Sequence, residues 1–541
     1  MHGRVVATKE VQRLIEQGEK IRTALQPVID EKTRLYKEAA SGGLTADLRN
    51  AIAQVEEKLQ AGQAELSRIE TRMLEVSGIP LEVIEAFEAE AIGGDEIDRL
   101  PRGSVVAEKI EPTAMLNDLA APALDRLLPL VDTEWLRAEG EKGYQVESSL
   151  LSEPLVLIRG NRVESELKPI HRFAQSLLVT GDFLREELAF DWFAGALLVP
   201  QIVALGNSIE ALSEVSGEVD ERLSALWRYP SDRTDATVYE LLVAAACAQY
   251  GRSMEFLTEG KSAHGVKTPD LRVHGYPFPV VVECKRRQAL TSADLQEAQR
   301  MREVFEALLA ACARRGQWGV FKLRLSVTPA ELPVQQVVDV GMRQPYAIDP
   351  AEYVEYAWGR LAFNSLPARL FVPQTRLYSP SFLSAVFGWD TDLPPHDGLA
   401  CQVRNPGELV VTEARDPLAL IWTNEEPSVF RRRARTASEL FGKAVSQIPP
   451  GEVGVIYVCY QEGDRQSVAD DRTRYMTEQL REWTHTWSVM VPISLITRLV
   501  PRPLNHGSPD LIESGIRCVS DVYGNSAWFR DFPSIVFTSV T

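Results

Sequence analysis

Between positions 268 and 285 the chain reads TPDLRVHGYPFPVVVECK, with Asp270 opening one short extended segment and Glu283, Cys284 and Lys285 closing the next. Side chains alternate across an extended backbone, so Glu283 and Lys285 share one face and Cys284 takes the other. Asp270 and Glu283 offer the hard oxygen ligands preferred by a divalent cation such as Mg²⁺, or Mn²⁺ in its place. Such a cation would screen the negative charge of a phosphodiester, lower the pKa of a bound water and stabilise the leaving oxygen. Lys285 would orient the attacking water or balance charge as it builds.

The elements that must position these residues are visible around them. Thr237 to Ala246 reads as a helix that is apolar except at Glu240, with Asp235 or Thr237 available to cap it. Ser253 to Leu257 and the segment after Asp270 predict short strands, and Gly275, Pro277 and Pro279 predict a turn. The β-branched run Val280 to Val282 predicts a strand buried on both faces. Thr291 or Ser292 then caps a long helix to about Arg314, and Val320 to Val327 alternates into another strand. The predicted order across residues 231–330 is αβββαβ.

That order, together with Glu240 on the first helix, Asp270 after Pro269, Glu283 and Lys285, resembles the PD-(D/E)xK nuclease superfamily, which includes restriction endonucleases and Holliday-junction resolvases. The resemblance is confined to residues 231–330. It implies a restriction-endonuclease-like core that hydrolyses DNA phosphodiester bonds as a Mg²⁺-dependent endonuclease. It also implies that Asp270, Glu283 and the backbone carbonyl of Cys284 hold the metal, with Glu240 completing the shell directly or through water. Arg286 and Arg287 follow the motif directly and are candidate phosphate contacts, while Gln296, Gln299 and Arg300 read as the solvated face of the next helix.

Charge and the bland alternatives bear on this expectation. Residues 231–330 hold 14 Lys and Arg against 11 Asp and Glu, whereas the whole chain carries a formal net charge of −18. The candidate core is thus the basic part of an acidic protein, which suits a polyanionic substrate. Asp270 as a turn residue, with Glu283 and Lys285 as a surface pair on an edge strand, is the ordinary alternative. Two further functions stay open, a non-cleaving DNA-binding or scaffold subunit and a ribonuclease. Gly260 to Thr268 has the look of a phosphate-binding loop, but Val266 separates Gly265 from Lys267 and the loop leads into a strand, so no ATP site is expected.

At 541 residues, 45% hydrophobic and 25% charged, the chain predicts a multidomain α/β protein of ordinary globular composition. Its start, Met1-His2-Gly3-Arg4, reads as no leader, and the six scattered cysteines read as free buried thiols of a cytoplasmic protein. No membrane association is expected; Ala189 to Gly206 contains Asp191, Pro200 and Gln201 and predicts a buried helix pair.

Residues 1–95 predict an antiparallel coiled-coil hairpin. Leu48, Ile52, Val55, Leu59, Leu66, Ile69, Met73 and Val76 alternate spacings of three and four, with Gly62 in the seam. Val11, Leu14, Ile21, Leu25, Val28 and Leu35 follow the same rule before a turn at Ser41 to Thr45. That seam closes on itself or joins another chain, as a homo-oligomer or with a partner protein. Residues 96–230 predict a mainly helical domain and residues 331–425 a strand-rich insertion or linker domain. Residues 426–541 predict a C-terminal α/β region that either extends the core sheet across an insertion or stands apart. Its helix opens with Arg431, Arg432 and Arg433, the best candidates for nucleic-acid contact outside the motif. A hydrolase core carrying so much additional chain points to regulated cleavage, with bacterial defence against phage as the leading expectation.

Overall fold

The computed structural model describes residues 46–77 and, apart from short breaks, 105–429, 440–461, 491–502 and 510–519, with scattered positions between 13 and 38, position 478 and a few from 532 to 537. Arg431, Arg432 and Arg433 lie outside the described residues.

Helix α1 (Ala46–Ser77) precedes strand β1 (Val105–Lys109) and helices α2 (Leu116–Leu127) and α3 (Thr133–Leu150). Strands β2 (Leu155–Ile158) and β3 (Asn161–Arg162) lead to α4 (Arg172–Leu184) and α5 (Trp192–Leu212). Then come β4 (Ser216–Gly217), α6 (Val219–Arg228) and α7 (Thr234–Gln249). The motif occupies β5 (Met254–Phe256), β6 (Leu271–Val273) and β7 (Val280–Arg286). After it run α8 (Ser292–Arg315), β8 (Trp318–Leu325), α9 (Val334–Gly341), β9 (Val354–Tyr356), β10 (Gly359–Leu366) and β11 (Arg369–Arg376). The chain continues through α10 (Pro380–Phe387), β12 (Gly398–Arg404), β13 (Val410–Asn424), β14 (Val453–Gln461), β15 (Ile493–Arg502) and β16 (Asp510–Val519).

These strands form two mixed sheets. The first runs β1-β16-β15-β14-β7-β6-β5-β4, and the second runs β3-β2-β12-β13-β8-β10-β9, with β11 on β13. The expected core is corrected at its last strand, because β8 belongs to the second sheet and pairs with β10 and β13. The place beside β7 is taken by β14, which runs parallel to it. Strands β14, β15 and β16 continue the first sheet beyond β7. The reason for the change at β8 lies in helix α8, whose apolar stripe of Ala298, Met301, Val304, Phe305, Leu308 and Cys312 packs on the second sheet. Its spacing shows an apolar face but not which sheet that face will cover.

Strand β7 is covered on both sides, as its apolar run requires. Val280, Val282 and Cys284 pack with α7, while Val281 joins Ile456, Val458, Phe441, Val445 and Ile448 on the opposite face. Helix α8 begins as predicted, with Thr291 accepting from the Asp294 N–H and Asp294 bonding back to Thr291 in a capping box. Near the N-terminus, Leu35, Ile52 and Val55 bury together beside Val28 and Leu59. A methyl group on Gly62 would overlap the Leu25 side chain, so the seam around Gly62 is filled from within the chain.

The predicted helix pair at 189–206 is instead one continuous helix, α5, running through Pro200. Asp191 caps it by accepting from the N–H groups of Phe193 and Ala194 at 3.1 and 3.2 Å. Among the described residues it is the one helix long and apolar enough to cross a membrane, and 67% of that stretch is buried inside the protein. It packs against α2, α4 and α7, and this burial outweighs the roughly 3 kcal/mol cost of an interior proline. None of the six cysteines forms a disulfide, and all are buried. Gly206 permits the close crossing of α5 and α2, since a Cβ there would lie 2.5 Å from Ala123 Cα. Replacing Gly206 with Val is expected to destabilise the fold by about 1–3 kcal/mol, the cost of overpacking against backbone, as a lower urea midpoint with unchanged slope.

Candidate active site

The antiparallel pairing of β6 and β7 sets Leu271 opposite Val282 and Val273 opposite Val280. Asp270, one residue before β6, therefore falls level with Glu283, and residues opposed across such a ladder point to the same face. The Cys284 N–H donates to Asp270 Oδ2 at 2.8 Å and pins that carboxylate against β7. Asp270 is 4% exposed and Glu283 is 0% exposed, so the surface-pair alternative fails on burial. The Lys285 ammonium pairs with Glu283 Oε1 and donates to the Cys284 carbonyl at 3.3 Å. Among the described residues Glu283 Oε2 is buried without a hydrogen-bond partner, an arrangement that costs about 1–3 kcal/mol.

Helix α7 brings Glu240 toward this pair. The Arg222 guanidinium, from α6, donates to Glu240 Oε2 at 2.6 Å and reaches Glu259 at 3.4 Å and the Leu257 carbonyl at 3.5 Å. It also lies 5.6 Å from the centroid of the Phe256 ring. Arg222 was not predicted; an arginine on an amphipathic helix gives no signal that it will be buried against an acid. Lys267 is the other unpredicted neighbour, exposed three residues before Asp270.

The electrostatics follow from placing like charges in a dry site. Burial, and then the charge on Asp270, pushes Glu240 up to about 8 against the pull of Arg222. The same two causes push Glu283 up to about 8 against the pull of Lys285. Burial also raises Asp270, opposed by Lys285 and the Cys284 N–H. Burial alone would lower Lys285, but Glu283 and Asp270 hold its ammonium above the ordinary value. Near neutral pH Glu240 and Glu283 retain protons that a cation of higher charge would displace.

The residues fit a divalent cation in this limited sense: two adjacent carboxylates, one with an oxygen lacking any partner, in a site whose mutual repulsion a cation would relieve. Among the described residues, no group of three or more His, Cys, Asp or Glu side chains stands ready to enclose an ion. Asp270 and Glu283 would hold it with water or substrate oxygens in the other positions. Glu240, engaged by Arg222, belongs to the surrounding shell.

Arg286 and Arg287 are corrected as phosphate contacts. Arg286 is buried, donating to the Asp235 carbonyl at 3.1 Å and to Gln201 Oε1 at 3.5 Å, with its guanidinium over the Phe537 ring. Arg287 is buried against Asp294 at 4.0 Å, and its N–H donates to the Cys459 carbonyl at 2.8 Å. Both bind the end of β7 to the fold. Asp235 does not cap α7; it lies between Arg172 at 3.5 Å and Arg286 at 3.9 Å. Burial would raise its pKa, but the two guanidinium groups hold it down at about 2. Gln296 and Gln299 are exposed as predicted, whereas Arg300 is half-buried, binding Glu303 and the Leu332 carbonyl.

Comparison with protein-family models, curated proteins and solved structures finds no match to this chain.

The raised carboxyls make stability fall with pH. The folded protein retains protons on Glu240 and Glu283 that the unfolded chain releases near 4.5, so stability declines as pH rises from about 4.5 to about 8. Glu283→Gln should flatten this decline and, without added metal, stabilise the protein at pH 8 by at least about 1.4 kcal/mol, the worth of one pKa unit. Chemical denaturation at pH 5 and pH 8 measures both effects.

Proposed function

We propose that this protein is a Mg²⁺-dependent nuclease that cleaves DNA at the site formed by Asp270, Glu283 and Lys285. The observation that carries the proposal is the side-by-side burial of Asp270 and Glu283 on neighbouring strands, with Lys285 on the same face. A structural role alone gives no return for burying two adjacent carboxylates and leaving Glu283 Oε2 unpartnered.

The sheet supports the family resemblance in a rearranged form. Helix α7 and strands β5 to β7 are followed, across the inserted second sheet, by helical residues 440–445 and by β14 parallel to β7. We read this as the αβββαβ core of a restriction-endonuclease-like domain, and helix α1 with Val28 and Leu35 packed against it as part of the antiparallel coiled-coil hairpin attached to it.

A divalent cation held there supplies Lewis acidity and a bound water of lowered pKa. Asp270 and Glu283 hold it, and the Cys284 N–H keeps the Asp270 carboxylate oriented toward β7. Lys285 holds a positive charge beside the acids, where it balances the phosphate as charge develops in the transition state. Arg222 keeps Glu240 turned toward α6, close enough for the charge on Asp270 to be felt there. DNA is the substrate class that the resemblance implies. Control by the additional domains, and a role in phage defence, belong to the same proposal.

The test incubates the full chain with supercoiled, linear and single-stranded DNA in Mg²⁺ or Mn²⁺, beside Asp270→Ala and Lys285→Ala. Metal-dependent cleavage that falls about 10²–10³-fold or more in both variants is expected, the loss typical of removing one transition-state stabiliser. Cleavage equal to the parent in both variants overturns the site. DNA binding without cleavage in the parent favours the non-cleaving subunit.

A further inference from the structure

We infer that Lys267 is a substrate-binding residue whose ammonium grips a DNA phosphate beside the one attacked. The inference rests on the nuclease reading and names a contact that the motif does not contain. Lys267 belongs to the stretch that resembles a phosphate-binding loop without its spacing. The structure gives that stretch another part to play. The Thr268 N–H donates to the Gly260 carbonyl at 3.0 Å. Immediately after this bond the chain dives inward, with Pro269 and Asp270 both buried. Lys267 thus stands exposed at the last position before the chain enters the acid site.

Lys267 is exposed three residues before the buried Asp270, and its positive charge favours the ionised form of Glu240, Asp270 and Glu283 alike. The other cations near the acids are already committed. Lys285 is held by Glu283 and the Cys284 carbonyl, and Arg222 by Glu240, Glu259 and the Leu257 carbonyl. Both are largely buried, Lys285 with 17% and Arg222 with 9% of the side chain exposed. Of the three cations whose charge acts on the acids, Lys267 is the exposed one. Lysine suits this part because its ammonium is a compact point charge on a flexible stem, able to follow a phosphate without fixed geometry. Contact with phosphate carries no sequence information, so the residue adds affinity and position rather than base specificity.

A purely structural cation that only offsets the acids would alter stability without altering how binding responds to salt. The deciding readout is therefore the salt dependence of DNA binding, measured in Ca²⁺ with a short duplex and a single-stranded oligonucleotide. Lys267→Ala is expected to weaken binding about 3–10-fold at low salt. The slope of log K against log salt should shrink by about 0.9 for duplex or about 0.7 for single strand, the value of one phosphate contact. Lys267→Arg should restore the slope, and in Mg²⁺ the kcat/KM of Lys267→Ala should fall about as far as its binding.

A parent-like slope in Lys267→Ala overturns the inference, as does a parent protein that binds neither DNA. Asp270→Ala, run in parallel for cleavage, separates the two claims. Cleavage surviving in Asp270→Ala sinks the nuclease reading, whereas the Lys267 slope is measured without cleavage and stands or falls by itself.

Discussion

Two carboxylates held side by side inside a sheet repel each other through a medium that screens them poorly, and the candidate site is organised around that repulsion. Asp270 and Glu283 meet because β6 and β7 pair in one register. A slip of one residue would turn Glu283 into the apolar face that packs with α7, where nothing answers its charge. The surroundings offset part of the cost: the Cys284 N–H on Asp270, Lys285 on Glu283, and Arg222 on the neighbouring Glu240. Removing the donor from any one of these contacts leaves a buried carboxylate poorly compensated, which is more damaging than never having buried it. What remains uncompensated is the property a cation-binding centre needs before its cation arrives.

Holding those charges in place recruits distant parts of the chain. Helix α7 is anchored next to Glu240 by Tyr239, which stacks near the Phe537 ring and has its hydroxyl 3.4 Å from that of Thr497. The Phe537 ring also lies under Arg286, at the end of the strand carrying Lys285. The residues around Phe537 are fixed in turn by Glu513, fully buried on β16, whose Oε1 accepts from the Val536 and Phe537 N–H groups at 2.7 and 3.0 Å. Arg517 adds a bond to the Phe532 carbonyl at 2.6 Å. The last described residues thereby brace both the helix and the strand that deliver the acids.

The second sheet is tied to the first through buried polar contacts. Asp294, at the start of α8, pairs with Arg159 beside β2 and with Arg287 just past β7. Gln461 at the end of β14 donates to Asn161 of β3 at 2.6 Å. An insertion that merely hung from the core would need none of these contacts. Arg287 lies two residues beyond Lys285, so a buried ion pair joins the start of α8 to the end of the strand that carries the candidate lysine.

The sequence by itself determined the features that depend on short-range geometry. Alternation along β7 put Glu283 and Lys285 on one face, the apolar run at Val280 to Val282 marked a strand covered on both sides, and Thr291 with Asp294 fixed the start of α8. These follow from backbone period and local hydrogen bonding, which neighbouring residues settle among themselves. Only the tertiary structure decided that β14, not β8, lies beside β7, because matching edges and apolar faces of distant segments compete for that place and spacing is silent on the winner. It also decided that Arg286 and Arg287 are buried ties, that Asp235 serves as their counter-charge instead of a cap, and that Arg222 and Lys267 belong to the acid site. A charged side chain acquires its role from what approaches it in space, and that is fixed only when the chain has closed on itself.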